Sequence, residues 1–378
     1  MHGISHFLAQ NLLIGNLPAL VENLPYGIDV FNCGETKFHD GIVRQISLIT
    51  IESISIERST SPLHSPFVTA LRRVSKIESI QFKVLLDDGH IAKGECVATP
   101  AIMGDSLEQI DKELRHIAIP ELLALKNIKE EDFLDIVLNL PICNSARAAV
   151  DFALWGLCNE IKSLSIKTDV TIPVCDISEL PNLLDRRIKE GFSVMKLKVG
   201  HETLSDLRAR MEIIAAREVS ELLIRIDPNQ SWSIEYALSA MNLLGDFADL
   251  IEYVEQPLSR FSLDDNLKLK QSSDIALMVD ETLMGLDDVD RIIDIGAFSW
   301  ANIKLIKAGG IYPALQMAKQ LSGAGIKVSI GSMMESEYGL CSAAQLAHLV
   351  NPLSVHDLDA AWWLKEKTVR YENGILKT

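Results

Sequence analysis

Five stretches decide the fold: FSVMKLKVG (192–200), LLIRIDPNQSW (222–232), LIEYVEQP (250–257), ALMVDET (276–282) and ANIKLIKAGG (301–310). Each opens as a short apolar run and closes on polar residues. TIPVCD (171–176) precedes them; KVSIGS (327–332) and LSVHDLD (353–359) follow. Between the runs lie amphipathic helical stretches such as SELPNLLDRRIKEG (178–191) and GIYPALQMAKQLSGAG (310–325). Strands alternating with helices at this spacing predict parallel β-α units. Eight of them at steps of about 25 residues predict an α/β protein built on a closed (β/α)8 barrel.

Towards the N-terminus the text changes. ARAAVDFALWGLCNEI (146–161) reads as a helix leading into the first barrel strand. SLITIESISIERS (47–59) and SIQFKVLLDDGHIAKGECV (79–97) read as a β-meander turning on Asp87-Asp88-Gly89. Helical text follows at 105–125. This is an α+β capping domain ahead of the barrel. The expected division is therefore an N-terminal extension without an assigned role at 1–46 and the capping domain at 47–145. The barrel then occupies 146–356, and a C-terminal segment at 357–378 returns towards the cap.

The chain has 378 residues, 48% hydrophobic and 23% charged, ordinary for a folded soluble protein. A formal net charge of −16 disfavours nucleic acid and anionic membrane surfaces as partners. No apolar stretch approaches the ~18–20 residues that a spanning helix needs. The first residues lack the basic, apolar and small-residue pattern of a secretion signal. The six cysteines are scattered, with no CxxC pair, and read as reduced and mostly buried. A cytoplasmic location is the expectation.

Catalytic groups of a barrel sit at the C-terminal ends of its strands. The third strand ends in Asp227, the fourth in Glu255 and the fifth in Asp280. Three carboxylates at matching heights on adjacent strands repel unless a hard cation joins them, and Mg2+ suits such oxygen donors. Strand alternation places Lys196 and Lys198 on one face of the second strand, and Lys304 lies on the sixth. Lys198 and Lys304 are thus expected to face each other across the barrel mouth, on opposite sides of anything held by the metal. That is the arrangement a 1,1-proton transfer requires. A lysine serving as base near neutral pH needs its pKa lowered by about 3 units, for which burial and a cationic neighbour are the available causes. Lys307 reads as a surface charge.

The KxK of MKLKVG, RIDPNQSW, VEQP, VDET and NIKLIKAGG, in this order and spacing, resemble the enolase superfamily, muconate-lactonising subgroup. The resemblance covers about residues 47 to 378. It implies Asp227, Glu255 and Asp280 as Mg2+ ligands, Lys198 and Lys304 as the acid/base pair, and Lys196 in an assisting role. The family's lysine bases work with a metal-stabilised enediolate. Which lysine serves which epimer stays open.

Further features resemble the dipeptide epimerases of that subgroup. HDLDAAWW (356–363) places Asp357 and Asp359 on one side of the eighth strand, an arrangement suited to a substrate ammonium group. PFVTALRRV (66–74), ATPAIMGDS (98–106) and GSMMES (331–336) are similar to segments of L-Ala-D/L-Glu epimerases. There the resemblance implies that Arg72 pairs with the substrate's glutamate carboxylate, a bidentate match. Arg73 stays open as an exchange of roles. The implied activity is Mg2+-dependent epimerisation of a dipeptide, with L-Ala-D/L-Glu the best match and cell-wall peptide recycling its context. The alternatives are an o-succinylbenzoate synthase or N-succinylamino-acid racemase, or a non-catalytic homologue. A homo-oligomer is compatible with a barrel of this type. About 45 residues precede the point where the resemblance begins. The chain ends at YENGILKT (371–378), short of the Gly-rich tail expected to pack back on the cap.

Overall fold

A computed structural model describes residues 49–70, 72–126, 128–159, 163–217, 219 and 221–378. The N-terminal extension, 1–46, lies outside the described residues. The chain then enters a three-stranded antiparallel sheet of β1 (Ile51–Val68), β2 (Arg73–Leu86) and β3 (Ile91–Val97). The β2–β3 turn is the Asp87-Asp88-Gly89 segment, where Gly89 takes φ +86, the left-handed region that glycine enters without Cβ strain. The other hairpin, β1–β2, is closed by Thr69 N donating to the Arg72 carbonyl at 3.0 Å, within PFVTALRRV. Its tip reaches over the barrel.

One face of the meander is apolar. Ile80, Phe82, Val84 and Cys96 are fully or almost fully buried against α1 (Asn144–Cys158). The small residues Ala148, Ala149 and Ala153 let this helix come close. A Cβ on Gly94 of β3 would lie 1.8 Å from the Ala149 carbonyl oxygen, so backbone rests on backbone there.

Seven parallel strands follow: β5 (Val170–Ile172), β6 (Val194–Lys198), β7 (Leu223–Asp227), β8 (Ile251–Glu255), β9 (Leu277–Val279), β10 (Trp300–Lys304) and β11 (Lys327–Gly331). They pair in sequence order. Their runs are almost continuously buried, as strands covered on both faces require. The expected eighth strand is only two residues long. His356 and Asp357 close the ring through parallel bridges to Thr168 and Gly331. His356 also locks the seam with its ring: Nδ1 accepts from Ile330 N at 3.0 Å, and Nε2 lies 2.8 Å from the Asn351 carbonyl. Burial holds this imidazole at about 4, well below its ordinary value, so it is neutral and Nε2 carries the proton. The architecture is an α/β (β/α)8 barrel beneath an N-terminal α+β cap.

Helices including α2 (Ile311–Gly323) and α3 (Glu337–Val350) cover the barrel outside. Asp151 of α1 accepts from the N–H groups of Ile311 (2.5 Å) and Tyr312 (3.2 Å), satisfying orphan donors at the start of α2. After Asp359 the chain contacts the cap, where Leu63 bridges Leu364 and Lys365 N donates to the Pro62 carbonyl. The chain closes in a hairpin, β12 (Arg370–Glu372) and β13 (Ile375–Lys377), which pairs with β4 (Ser165–Lys167). None of the five described cysteines forms a disulfide. Only Cys96 is fully buried; Cys143, Cys158, Cys175 and Cys341 are half-buried, less than the sequence reading expected.

Candidate active site

The C-terminal ends of β6, β7, β8, β9 and β10 bring charged side chains into a space from which water is nearly excluded. Lys196, Lys198, Asp227, Glu255, Asp280 and Lys304 are each at most 7% exposed. A buried charge survives only when paired, and here the pairs are explicit. Lys198 Nζ lies 2.5 Å from Asp227 Oδ2, and Lys304 Nζ lies 2.9 Å from Asp280 Oδ2. Lys196 Nζ reaches Glu255 at 2.8 Å, Asp357 at 2.8 Å and Asp227 at 3.2 Å.

The loops after two of the three acid-bearing strands are bent sharply. Asn229, Gln230 and Gln256 adopt positive φ (46, 66 and 38) directly after Asp227 and Glu255. Non-glycine residues hold such conformations only where their surroundings insist. Gln256 provides that insistence: Oε1 accepts from Asp280 N (3.1 Å) and Thr282 N (3.0 Å), and Nε2 donates to Thr282 Oγ1 (3.0 Å). Gln230 N donates to the Gln256 carbonyl at 2.8 Å. The three loops are thus stapled at one height.

Electrostatics splits the carboxylates. Glu255 is pushed up to about 7 by burial and by its neighbours Asp227 and Asp280. Burial acts the same way on Asp227, but Lys198 and Lys196 outweigh it and hold the group below its ordinary value. Asp280 is held well below, because Lys304 and Lys307 prevail over burial. Burial alone would depress Lys304; the Asp280 carboxylate prevails and raises it instead. The lowered pKa expected of a lysine base is therefore not found at Lys304.

Lys307 corrects the sequence reading. It is 1% exposed, and its Nζ lies 2.5 Å from both Asp280 Oδ1 and the Asp280 carbonyl oxygen. Residue 305 begins a helical turn (Leu305–Ala308) that swings Lys307 back beneath the fifth strand. The strand pattern alone offered no sign of that turn. Asn302, Asn229, Glu281 and Glu335 also went unremarked in the sequence, and all four are buried around the site. Their only signal was their place inside the apolar runs or beside them.

Asp357 and Asp359 both line the same cavity as Lys196, Lys198, Lys304 and Arg72. They are not equivalent. Asp357 Oδ2 accepts from Lys196 and Asn302, and the lysines overcome burial to keep it ionised. Asp359 Oδ2 accepts from Thr171 N (2.7 Å) and Trp363 Nε1 (3.3 Å); burial and the nearby Asp357 charge raise it. Arg72 is half-buried at the hairpin tip while Arg73 is exposed. Burial lowers the Arg72 guanidinium, which has no carboxylate partner among the described residues. A second cap loop, the helical turn Pro100–Met103, contributes Ile102, whose carbonyl accepts from Arg260 Nη1 at 3.3 Å.

Among the described residues no three His, Cys, Asp or Glu side chains stand gathered as a ready cation site, because each acid is turned onto a lysine. The donor set nevertheless fits a hard divalent ion. Asp227, Glu255 and Asp280 end consecutive strands and act on one another electrostatically, and all three offer oxygen alone.

A barrel with buried lysines opposite one another and acids between them defines a class, and comparison with known proteins assigns it. Residues 179–378 match the family described as "Enolase C-terminal domain-like", and the chain belongs to that family. The L-Ala-D/L-Glu epimerase of Bacillus subtilis (strain 168) is 31% identical over 324 residues, covering 82% of this chain and 88% of the relative. A substrate-liganded structure of the B. subtilis epimerase superposes with a TM-score of 0.81 at 29% identity, over 87% of this chain and 96% of that one. The N-succinyl-L-Arg/Lys racemase of Bacillus cereus is 31% identical, covering 76% of this chain and 80% of the relative. A dipeptide epimerase from Methylococcus capsulatus, complexed with Mg and L-Arg-D-Lys, has a TM-score of 0.75 at 27% identity, over 87% and 97%. These relatives are epimerases and racemases. The present chain is an isomerase of the same kind.

Proposed function

We propose that this enzyme epimerises dipeptides, L-Ala-D/L-Glu being the preferred pair, with one of Lys198 and Lys304 removing the α-proton of the C-terminal residue and the other supplying a proton to the opposite face. One observation carries the reading: a single cavity is lined at once by Lys198, Lys304, Arg72, Asp357 and Asp359. The two lysines rise from β6 and β10 with β7, β8 and β9 between them. A substrate α-carbon between them has one ammonium or amine on each face. One lysine takes the proton as base, and the other, entering as ammonium, returns a proton to the opposite face. The next turnover in the reverse direction exchanges the roles.

Asp357 and Asp359 hold the substrate's amino terminus, and Arg72 pairs with the glutamate side chain. The absence of a carboxylate partner for Arg72 among the described residues supports that use, since a half-buried guanidinium calls for an anion. Asp227, Glu255 and Asp280 would hold Mg2+, and Lys196 adds positive charge beside them. Bound there, the ion would supply positive charge that acidifies the α-carbon of a bound carboxylate. The magnesium in the M. capsulatus neighbour supports this choice of ion.

The N-succinyl-L-Arg/Lys racemase relative favours a second reading, racemisation of N-succinylamino acids by the same lysines. Two carboxylates at the position that would face the succinyl group weigh against it, because like charges repel. The cytoplasm is the proposed compartment. No helix among the described residues is long and apolar enough to cross a membrane.

Proton NMR in D2O with Mg2+ tests the reading. Loss of the glutamate α-proton signal from L-Ala-L-Glu, abolished by EDTA, is the expected result. Exchange only with another dipeptide would discard the role of Arg72. Exchange only with N-succinylamino acids would overturn the role of Asp357 and Asp359.

A further inference from the structure

We propose that Asn302 is a positioning residue that aims Asp357 at the substrate's amino group, by holding Asp357 and Glu255 together on one side-chain amide. The role rests on the dipeptide reading above and deepens it. Asn302 lies two residues before Lys304 on β10, so both side chains share the inner face. It is fully buried. Its Nδ2 donates to Glu255 Oε1 at 3.1 Å and to Asp357 Oδ2 at 3.0 Å. Lys196 binds the same two carboxylates, at 2.9 Å and 2.8 Å.

The four residues form a closed ring across the barrel floor, from β6, β8, β10 and the seam at Asp357. Within it the amide does what a second lysine could not. It bridges two carboxylates with both of its N–H groups and adds no charge. Asp357 therefore keeps a net negative charge to offer an ammonium group. Both of these hydrogen bonds fall on Oδ2, and among the described residues none engages Oδ1. The carboxylate is fixed by one oxygen and leaves the other for a ligand.

Space for the amide is provided on the neighbouring strand. A Cβ on Gly331 would lie 2.3 Å from Asn302 Oδ1, and Gly331 is the residue that bridges Asp357 at the barrel seam. Among the described residues Asn302 Oδ1 has no hydrogen-bond partner, so the amide's orientation is set by its two carboxylate acceptors. The reverse orientation would set the carbonyl oxygen against both anions.

The test compares L-Ala-L-Glu with propionyl-L-glutamate, the same molecule lacking the amino group, by α-proton exchange in D2O with Mg2+. In wild type the amino group should favour Ala-Glu. In Asn302→Leu the KM for Ala-Glu should rise about tenfold, with kcat changed much less, because an oriented charge-assisted hydrogen bond is weakened. Exchange of propionyl-L-glutamate should stay near its wild-type rate. Gly331→Ala, which displaces the amide without removing any side chain of the ring, should shift the same preference in the same direction. It decides the matter if Asn302→Leu does not fold.

Equal losses with both compounds, or a weakened Mg2+ titration by calorimetry with the amine preference intact, would overturn the proposal, since Asn302 would then serve only the scaffold or Glu255. A wild type that exchanges Ala-Glu but prefers the des-amino compound overturns the aim assigned to Asp357 alone. A wild type that exchanges neither overturns the dipeptide reading, and this role with it.

Discussion

Lys196, Lys198, Lys304 and Lys307 are all buried among the carboxylates of Asp227, Glu255, Asp280 and Asp357. Burying an ion costs several kcal/mol after relaxation, so such a cluster persists only with every charge paired. The pairing explains why the sequence exposed Lys196, Lys198 and Lys304 so readily: a lysine inside an apolar strand has no other reason to be there. Lys307 stood in equally apolar text, but one residue past the strand, where a solvent-facing turn is the usual outcome. At this scale the two lysines in the proposed proton transfer make a sharp expectation. Replacing either Lys198 or Lys304 by Ala should slow epimerisation by roughly 10²–10⁴-fold, the usual contribution of a positioned acid or base. Because each lysine addresses one face, each variant should still exchange the α-proton of one substrate epimer with D2O. Rates of epimerisation and of deuterium entry, followed separately for L-Ala-L-Glu and L-Ala-D-Glu, check this. Loss of all exchange in both variants would contradict the two-base arrangement.

Among the elements, the junction between β3 and α1 carries the closest approach in the cap. Ile80, Phe82 and Val84 bury fully there, each contributing about 1.5–3 kcal/mol by its removal from water. The helix can approach that surface only because residue 94 lacks a side chain. Gly94→Ala would drive a Cβ against the Ala149 carbonyl oxygen, and neither strand nor helix backbone can yield cheaply. The expected cost is about 1–3 kcal/mol or more, the range for overpacking, read as a lowered urea midpoint with an unchanged slope. The meander and its Asp87-Asp88-Gly89 turn were legible from local chemistry, since a positive φ selects glycine whatever lies beyond. Gly94 was not, because a glycine inside a strand says only that something comes near. The shortness of the eighth strand was equally hidden: LSVHDLD alternates like a full strand, yet two residues and the His356 ring close the barrel.

At the scale of the molecule, cap and barrel meet over two buried carboxyl groups. Glu95 of β3 accepts from Ser336 (2.5 Å) and Ser79 (3.3 Å). Glu335, on the loop after β11, accepts from Met333 N at 3.1 Å, and its other oxygen has no partner among the described residues. Burial raises both; Glu335 is pushed up to about 8, Glu95 adding to the burial effect and Lys304 opposing it. Each therefore binds its proton more firmly in the fold than in the unfolded chain. For Glu335 the stability this confers is complete below the ordinary value of 4.5 and is lost as pH rises through about 8. Glu281 and Asp151, also raised to about 8 by burial, act in the same sense. Urea midpoints should accordingly fall between about pH 5 and pH 9. Glu335→Gln, which stays neutral, should flatten part of that fall; an unchanged slope would remove Glu335 from the cause.

The sequence by itself determined the barrel, the cap ahead of it, the family, and which acids and lysines end which strands. Strand and helix periodicity is a local property, and the strand-end residues inherit their height from the strand. Only the tertiary structure decided how those groups are shared. It turned Lys307 inward onto Asp280, chose Arg72 over Arg73 for the cavity, and separated Asp357 from Asp359 by giving one to Lys196 and Asn302 and the other to Thr171 and Trp363. Those outcomes depend on contacts between residues far apart in the chain, in a nearly dry interior where each charge must find a partner from whichever strand lies nearest.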